Sequence, residues 1–351
     1  MRVAIIAFND LKKCPYINPY ASFCKENGID FDVIYFNRSG TVESADYPTV
    51  PIEWKSGRKK WLNFLSFRSL VIKHLKAVAY DFVIVLTTMP AVLLGGFLKK
   101  RFKGRYLVDI RDYTYEKVLP YFWLEKRALS GSAMNVISSP GFKNFLPAGE
   151  YTLCHNASAS YRIPAEYSFT PNPSGRIRIG YVGTIAYKSN CKRLIDLVLK
   201  DERFDFYFYG DESGTKEVTE YVASLSSDRI KAFGAYTPAE KVGIMENIDI
   251  LFNVYGNSSQ LVITALSNKL YDSFYMKLPL LTSPKTAMSE EASVYSFDVD
   301  FDDKDILEKL YSWYYSIDGE SFGKYGDDYL DKVFKDQDDF YKKLKATILG
   351  N

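Results

Sequence analysis

Histidine is nearly missing from this 351-residue sequence: only His74 and His155 occur, which leaves little for a histidine-held metal or a relay of imidazoles. The four cysteines, Cys14, Cys24, Cys154 and Cys191, are scattered, with no C-x-x-C pair and no histidine spaced to join them. Neither a disulfide framework nor a zinc site is expected, and the thiols read as buried. No apolar run approaches the ~20 residues of a membrane span, and the opening MRVAIIAFND turns polar too soon for a signal peptide. The expectation is a protein made and kept in the cytoplasm. Neither G-x-G-x-x-G after a first strand nor G-x-x-x-x-G-K-[ST] is found, which argues against a nicotinamide dehydrogenase and a P-loop enzyme. A dense basic run interleaved with aromatics is lacking too, and with it the expectation of a nucleic-acid partner.

What is present is material for a core: 47% of residues are hydrophobic and 25% charged, a length and balance that suit two folded domains. Net charge is unevenly divided. Residues 1–170 carry 23 Lys and Arg against 14 Asp and Glu, or +9, and residues 171–351 carry 22 against 29, or −7. A basic first half suits an anionic substrate or surface.

Short apolar runs alternate with helix-length segments. Arg2–Phe8, Phe31–Phe36, Asp81–Leu86, Tyr106–Ile110, Asn135–Ser138 and Tyr151–Cys154 read as strands of a first parallel sheet; Ile177–Val182, Phe204–Gly210, Arg229–Gly234, Asp249–Val254 and Leu278–Ser283 read as strands of a second. Between them, Ser158–Arg176 holds Pro164, Pro171, Pro173 and Gly175 without periodicity, as expected of a linker. The tail from Tyr325 spaces Leu330, Phe334, Phe340, Leu344 and Ile348 loosely as a helix. The expected fold class is α/β with two doubly wound parallel-sheet domains, 1–170 and 171–324, facing a cleft, and a helix over 325–351 packing back on the first domain.

Two stretches carry the chemistry. In GYVGTIAYKSNCKRLIDLVL, Gly183 and Thr184 follow a strand, with Lys188, Lys192 and Arg193 close behind. A glycine there lets backbone N–H groups approach an anion, and a lysine supplies a point charge; an ordinary strand-to-helix turn with a solvated lysine reads equally well. In NKLYDSFYMKLPLLTS, a helix opens at Asn268 and Lys269, and Asp272 stands one turn in. Amides at the helix start suit phosphate oxygens, and the acid one turn on suits a sugar hydroxyl; alternatively the acid merely complements the helix dipole.

In order, GYVGTIAYK, FDFYFYGDE, RIKAFGAYTPAEKVGIMENIDILFNVY and NKLYDSFYMKLPLLTS resemble the nucleotide-sugar half of GT-B glycosyltransferases, particularly the large retaining family that builds bacterial surface polysaccharides. AFNDLKKCPYI, VDIRDYT and LCHNAS are similar to its first acceptor loop, its mid-domain acid-rich loop and the segment before its hinge. The resemblance implies that Asp272 is the second acid of the E-x7-E motif, meeting ribose. It implies that Gly183 and Lys188 form the diphosphate loop, that Gly234 to Tyr236 lies along the nucleobase, and that Tyr255 to Ser259, with Asn257, flanks the donor sugar. Asn268, Lys269 and Leu270 would turn their amides to phosphate. Five positions depart from the pattern: Thr264 stands where the first acid is expected, Asp272 is shorter by a methylene than the second acid, Thr184 stands where many members carry arginine, Lys188 lies one residue nearer the glycine than usual, and Lys277 stands where glycine commonly ends the helix.

Transfer from a sugar nucleotide needs a cation at the departing diphosphate, a role the resemblance gives to Lys188, with Lys269 as second candidate, and no metal or other cofactor. Asp112, in the D-I-R-D run after a strand, is the candidate for orienting or deprotonating the acceptor hydroxyl, or else part of an Asp–Arg tie. His155 is a further candidate near the hinge, with a structural role as its alternative. Arg58–Lys76 has an apolar face and a basic border which, with Lys99–Arg105, suits reversible attachment to an anionic membrane. The expected partners are a nucleotide-sugar donor, UDP-linked, and a glycan or polyprenyl-diphosphate-linked acceptor. A nucleotide-sugar 2-epimerase and a nucleotide- or partner-binding protein without turnover are the alternatives.

Overall fold

The apolar runs become strands because both faces of a parallel sheet are covered, so their side chains need no polar alternation. The computed structural model describes residues 1–163 and 166–350. In its first half the strands are β1 (Arg2–Ala7), β2 (Asp30–Asn37), β3 (Thr49–Glu53), β4 (Phe82–Leu86), β5 (Tyr106–Ile110), β6 (Met134–Ile137) and β7 (Thr152–Leu153). In its second half they are β8 (Ile177–Val182), β9 (Phe204–Tyr209), β10 (Ile230–Gly234), β11 (Ile250–Phe252), β12 (Leu280–Thr282) and β13 (Ser296–Asp298). Two sheets form, ordered β3-β2-β1-β4-β5-β6-β7 and β10-β9-β8-β11-β12-β13, with every pairing parallel. The strand order reverses beside the first strand of each sheet, between β1 and β4 and between β8 and β11. In sheets of this order such a reversal places helices on opposite faces and parts the loops at the carboxyl ends, the usual ligand position.

β3 and β13 escaped the sequence pattern for physical reasons. Both are edge strands; β3 contains Pro51, and β13 has only 3 residues, features that edges tolerate and apolar periodicity does not report.

The chain divides into two compact units, residues 1–156 with 335–351, and residues 157–334. The sequence boundary at 170 shifts because most of the supposed linker packs into the second unit: Phe169 joins its core, and Asn172 accepts no freedom, its amide donating to Tyr314 Oη at 3.0 Å and its carbonyl accepting from Tyr315 Oη at 2.7 Å. Pro164 and Ala165, within that stretch, lie outside the described residues. The last helix begins at Gly319 rather than 325 and runs to Leu349. Its glycines look like breakers in sequence, but at Gly326 a β-carbon would lie 3.1 Å from the Phe274 carbonyl oxygen, so the residue permits close packing inside a continuous helix. Phe322, Leu330, Val333 and Phe334 enter the core of the second unit, and Phe340, Leu344 and Ile348 that of the first.

One buried group in the first unit opposes folding. Glu125, on the helix Leu119–Leu129, is fully buried with neither carboxylate oxygen hydrogen-bonded among the described residues. Burial, with repulsion from Glu116 behind it, raises its pKa to about 8. Because the folded value lies above the unfolded one, stability is full below the unfolded pKa and declines as pH rises through about 8, by a total on the order of 5 kcal/mol. Glu125→Gln is therefore expected to leave the thermal midpoint nearly unchanged at about pH 5 and to raise it at about pH 8.5. Equal shifts at the two pH values would contradict this.

Candidate functional site

The switch point of the second unit gathers three segments. β8 ends at Val182, and Gly183 follows with φ +124°, a conformation side chains rarely adopt. β9 ends at Tyr209, and Gly210 follows with φ +134°; a β-carbon there would penetrate the Gly183 carbonyl. The two turns are pressed together, and the Tyr181 hydroxyl pins the loop beyond by donating to the Thr184 carbonyl and accepting from the Ala186 amide, each at 3.0 Å. After β11, Tyr255 stacks on Tyr187 with centroids 4.2 Å apart and planes at 17°. The next amide, of Gly256, donates to Ser283 Oγ at 2.7 Å, and Asn257 Nδ2 donates to the Pro284 carbonyl at 3.2 Å.

The third segment is the helix Asn268–Met276. Ser267 caps it, its Oγ accepting from the Lys269 amide at 3.3 Å. Lys269 is buried, and its Nζ donates to Tyr255 Oη at 2.6 Å while lying 4.9 Å and 5.3 Å from the centroids of the Tyr181 and Tyr255 rings. A β-carbon at Gly183 would be 3.5 Å from the same Nζ. The other buried cations have carboxylates: Arg111 meets Asp109 at 2.7 Å, and Lys277 meets Asp327 at 2.5 Å. Lys269 makes no ion pair among the described residues. A desolvated ammonium without a counter-ion, beside a glycine turn and a helix start, is arranged for an anion with several oxygens.

The two lysines thus exchange the places that sequence gave them. The Lys188 ammonium turns to the Thr215 carbonyl and hydroxyl, with Glu217 at 3.3 Å and Glu212 at 3.4 Å, so its charge is already compensated and Lys269 is the cation at the Gly183 turn. Thr184 is exposed there. Asn268 is exposed at the helix start, whereas the Leu270 side chain is in the core and its amide donates to the Ser267 carbonyl at 3.0 Å, which takes Leu270 out of the amides open to a ligand.

Asp272, buried one turn on, has two partners among the described residues. Lys241 Nζ reaches both carboxylate oxygens at 2.7 Å, and Tyr161 Oη donates to Oδ1 at 2.5 Å while its ring stacks on Tyr275 at 4.2 Å. Burial, then the neighbouring carboxylate, drives the Tyr161 phenol pKa far up. Tyr236 is half-buried, and burial first, with the Asp272 carboxylate behind it, raises its pKa. Gly234, with φ +79°, accepts from the Gly210 amide at 2.7 Å. Sequence assigns no role to Lys241 or Tyr161: Lys241 lies within the RIKAFGAYTPAEKVGIMENIDILFNVY block but away from the positions singled out there, and Tyr161 lies in the stretch read as a linker. Thr264, at the missing-acid position, donates to the Gln260 carbonyl at 2.7 Å.

In the first unit, Asp109 and Arg111 are a structural tie. Asp109 accepts from Tyr20 Oη at 2.8 Å and from Arg111 at 2.7 Å, and Arg111 also donates to the Cys154 carbonyl at 3.0 Å and Asn156 Oδ1 at 2.7 Å. Asp112, next along, is exposed and makes no side-chain hydrogen bond among the described residues. The surrounding protein raises its pKa by desolvation, against the pull of Arg111, and an open surface limits the effect. His155 is buried within this unit, its Nε2 sharing a hydrogen bond with Asp336 at 3.2 Å and its carbonyl accepting from Gln337 at 3.4 Å. It holds the last helix to the unit, the structural alternative to a catalytic role.

No protein-family profile matches the sequence, and no curated protein sequence does. Solved structures match over its whole length. A lipopolysaccharide outer core galactosyltransferase, WaaB, has TM-score 0.67 at 14% identity, covering 100% of this chain and 99% of that one. Sucrose-phosphate synthase from Thermosynechococcus elongatus has TM-score 0.70 at 12% identity, covering 99% of each. Anabaena HepE, in complex with UDP and glucose, has TM-score 0.66 at 12% identity, covering 97% and 99%. At these identities the likeness establishes the fold, which is the GT-B fold of these proteins.

Proposed function

We propose that this chain transfers a sugar from a nucleotide-sugar donor, UDP-linked, to a glycan or polyprenyl-diphosphate-linked acceptor in bacterial surface-polysaccharide synthesis, with retention and without a metal. The observation that carries the proposal is the uncompensated Lys269 ammonium at the Gly183 turn. There it would meet the diphosphate and stabilise the charge that grows as the bond from the sugar carbon to the leaving oxygen breaks. Solved neighbours with UDP, and with UDP and glucose, support a nucleotide-sugar ligand. Asp112 orients or deprotonates the acceptor hydroxyl, and Asp272, with Lys241 as its partner, meets the ribose.

No described helix is long and apolar enough to cross a membrane. A peripheral, cytoplasmic position is supported by the helix Lys60–Ala77, which buries Phe67, Val71 and Leu75 and leaves Trp61, Leu65 and Leu70 exposed beside basic residues.

The residue roles are tested by UDP titration calorimetry. Asp272→Ala is expected to weaken binding about tenfold and Asp112→Ala less than about twofold; equal losses, or full affinity in the Asp272 variant, would contradict the assignment. Release of UDP from a UDP-sugar only when acceptor is present separates transfer from binding without turnover, the reading that Thr264 in place of an acid favours.

A further inference from the structure

We infer that the carboxyl end of the first unit's sheet is an anion site in which Arg38 holds a phosphate-bearing group; only the identity of that group as part of the acceptor rests on the function proposed above. Three neighbouring strands converge on it: Phe8 directly follows β1, Arg38 directly follows β2, and Trp54 directly follows β3. The Arg38 guanidinium carbon lies 4.9 Å from the Phe8 centroid, 5.3 Å from Phe36 and 5.6 Å from Trp54. A cation walled by three rings is shielded from water, which strengthens whatever charge it meets on its open side.

No described residue meets that charge directly. The Arg38 side chain makes no hydrogen bond or ion pair among the described residues, and its Nε is buried without an acceptor. The nearby carboxylate, Asp10, is committed elsewhere: its Oδ1 accepts from the Arg38 and Ser39 amides at 2.7 Å and 3.0 Å, and its Oδ2 from Lys13 Nζ at 3.1 Å. Desolvation accordingly pulls the Arg38 pKa down, only partly offset by Asp10. Charge of the same sign reaches the rings: Lys60 Nζ lies 5.6 Å from the centroid of Phe64, which itself packs on Phe8 at 5.1 Å and Trp54 at 6.3 Å. Arg58, Lys59 and Lys60 are exposed and form no ion pair among the described residues, and Asn63 shapes their loop by bonding the Lys55 amide at 3.0 Å and carbonyl at 3.1 Å.

The donor set selects the ligand class. A guanidinium presents a planar fork that grips phosphate oxygens in pairs, and mobile lysines at a rim serve the remaining charge of a diphosphate. A neutral sugar would leave this cation unpaired, at a desolvation cost.

Farnesyl diphosphate and inorganic pyrophosphate are the probes, followed by calorimetry and by the fluorescence of Trp54. Both are titrated into the full chain carrying Lys269→Met, so that the phosphate grip of the second unit does not contribute. Each probe is expected to lose about tenfold in affinity on adding Arg38→Gln, and about threefold on adding Arg38→Lys, which keeps charge but not the fork. Binding of both probes assigns the site to phosphate from any source, and binding of the prenyl compound alone assigns it to a lipid-linked phosphate. Affinity unchanged by either Arg38 substitution, or no binding of either probe, overturns the inference. UDP titrated into the protein with Lys269 intact is a separate arm: its failure to bind refutes the donor site without touching the Arg38 result, and Arg38→Gln is expected to leave it unchanged.

Discussion

Lys269→Met is expected to weaken UDP binding roughly 100-fold, the equivalent of about 2.7 kcal/mol, while the folded protein keeps or gains thermal stability. The reasoning begins with burial. Lys269 lies at 7% relative exposure with no carboxylate partner among the described residues, so the unliganded protein bears the desolvation of the ammonium, offset by the Tyr255 hydroxyl and two ring faces. A diphosphate recovers that cost on binding, and methionine removes both the cost and the recovery. A structural lysine would behave oppositely: its loss would lower stability and leave UDP affinity intact. Lys188→Met is the informative companion. Its ammonium is paired with Glu212 and Glu217, so a change in UDP affinity of less than about threefold is expected. A larger loss there than at Lys269 would restore the assignment made from sequence.

Gly210→Ala is expected to be the most damaging of the small substitutions. The added methyl would collide with the Gly183 carbonyl, and φ at +134° suits no side chain. Strain and overpacking each cost about 1–3 kcal/mol, so a loss of about 3 kcal/mol or more is expected, a fall of roughly 6–12 °C in the thermal midpoint of a unit this size. Displacement of the Gly183 turn also moves the backbone beside the Lys269 ammonium, so UDP affinity falls in the protein that remains folded. Gly214→Ala, at φ +78° with nothing within 4 Å of an added β-carbon, carries the backbone strain alone and separates it from the collision. Equal midpoints for the two variants would show that the contact between the two turns does not matter.

These expectations rest on features that sequence revealed unequally. The interior strands were legible because complete burial writes itself as unbroken apolar runs, as in Phe82–Leu86. Gly183 was singled out because a glycine directly after such a run lets the backbone come close to a ligand, although an ordinary turn reads equally well there. Which lysine turns toward it was not legible: Lys188 and Lys269 both sit at helix starts, and only the folded positions of Glu212, Glu217 and Tyr255 decide between them. Asp272 was singled out from its place in the helix, but Lys241 and Tyr161 reach it from distant segments. Lys277 stands where glycine was expected and adopts the left-handed conformation itself, with φ 54° and ψ 43°, a cost offset by the ion pair of its buried ammonium with the exposed Asp327 carboxylate. Arg38 left no trace at all, since the rings around it belong to three strands and become neighbours only when the sheet assembles.

Amide hydrogen exchange with and without UDP tests the central claim most directly. Protection on adding UDP is predicted in the segments around Gly183, Tyr255 and Ser267–Lys269, and its disappearance in Lys269→Met protein. Protection confined to residues 1–156, or binding of UDP that leaves those three segments unchanged, would contradict the account.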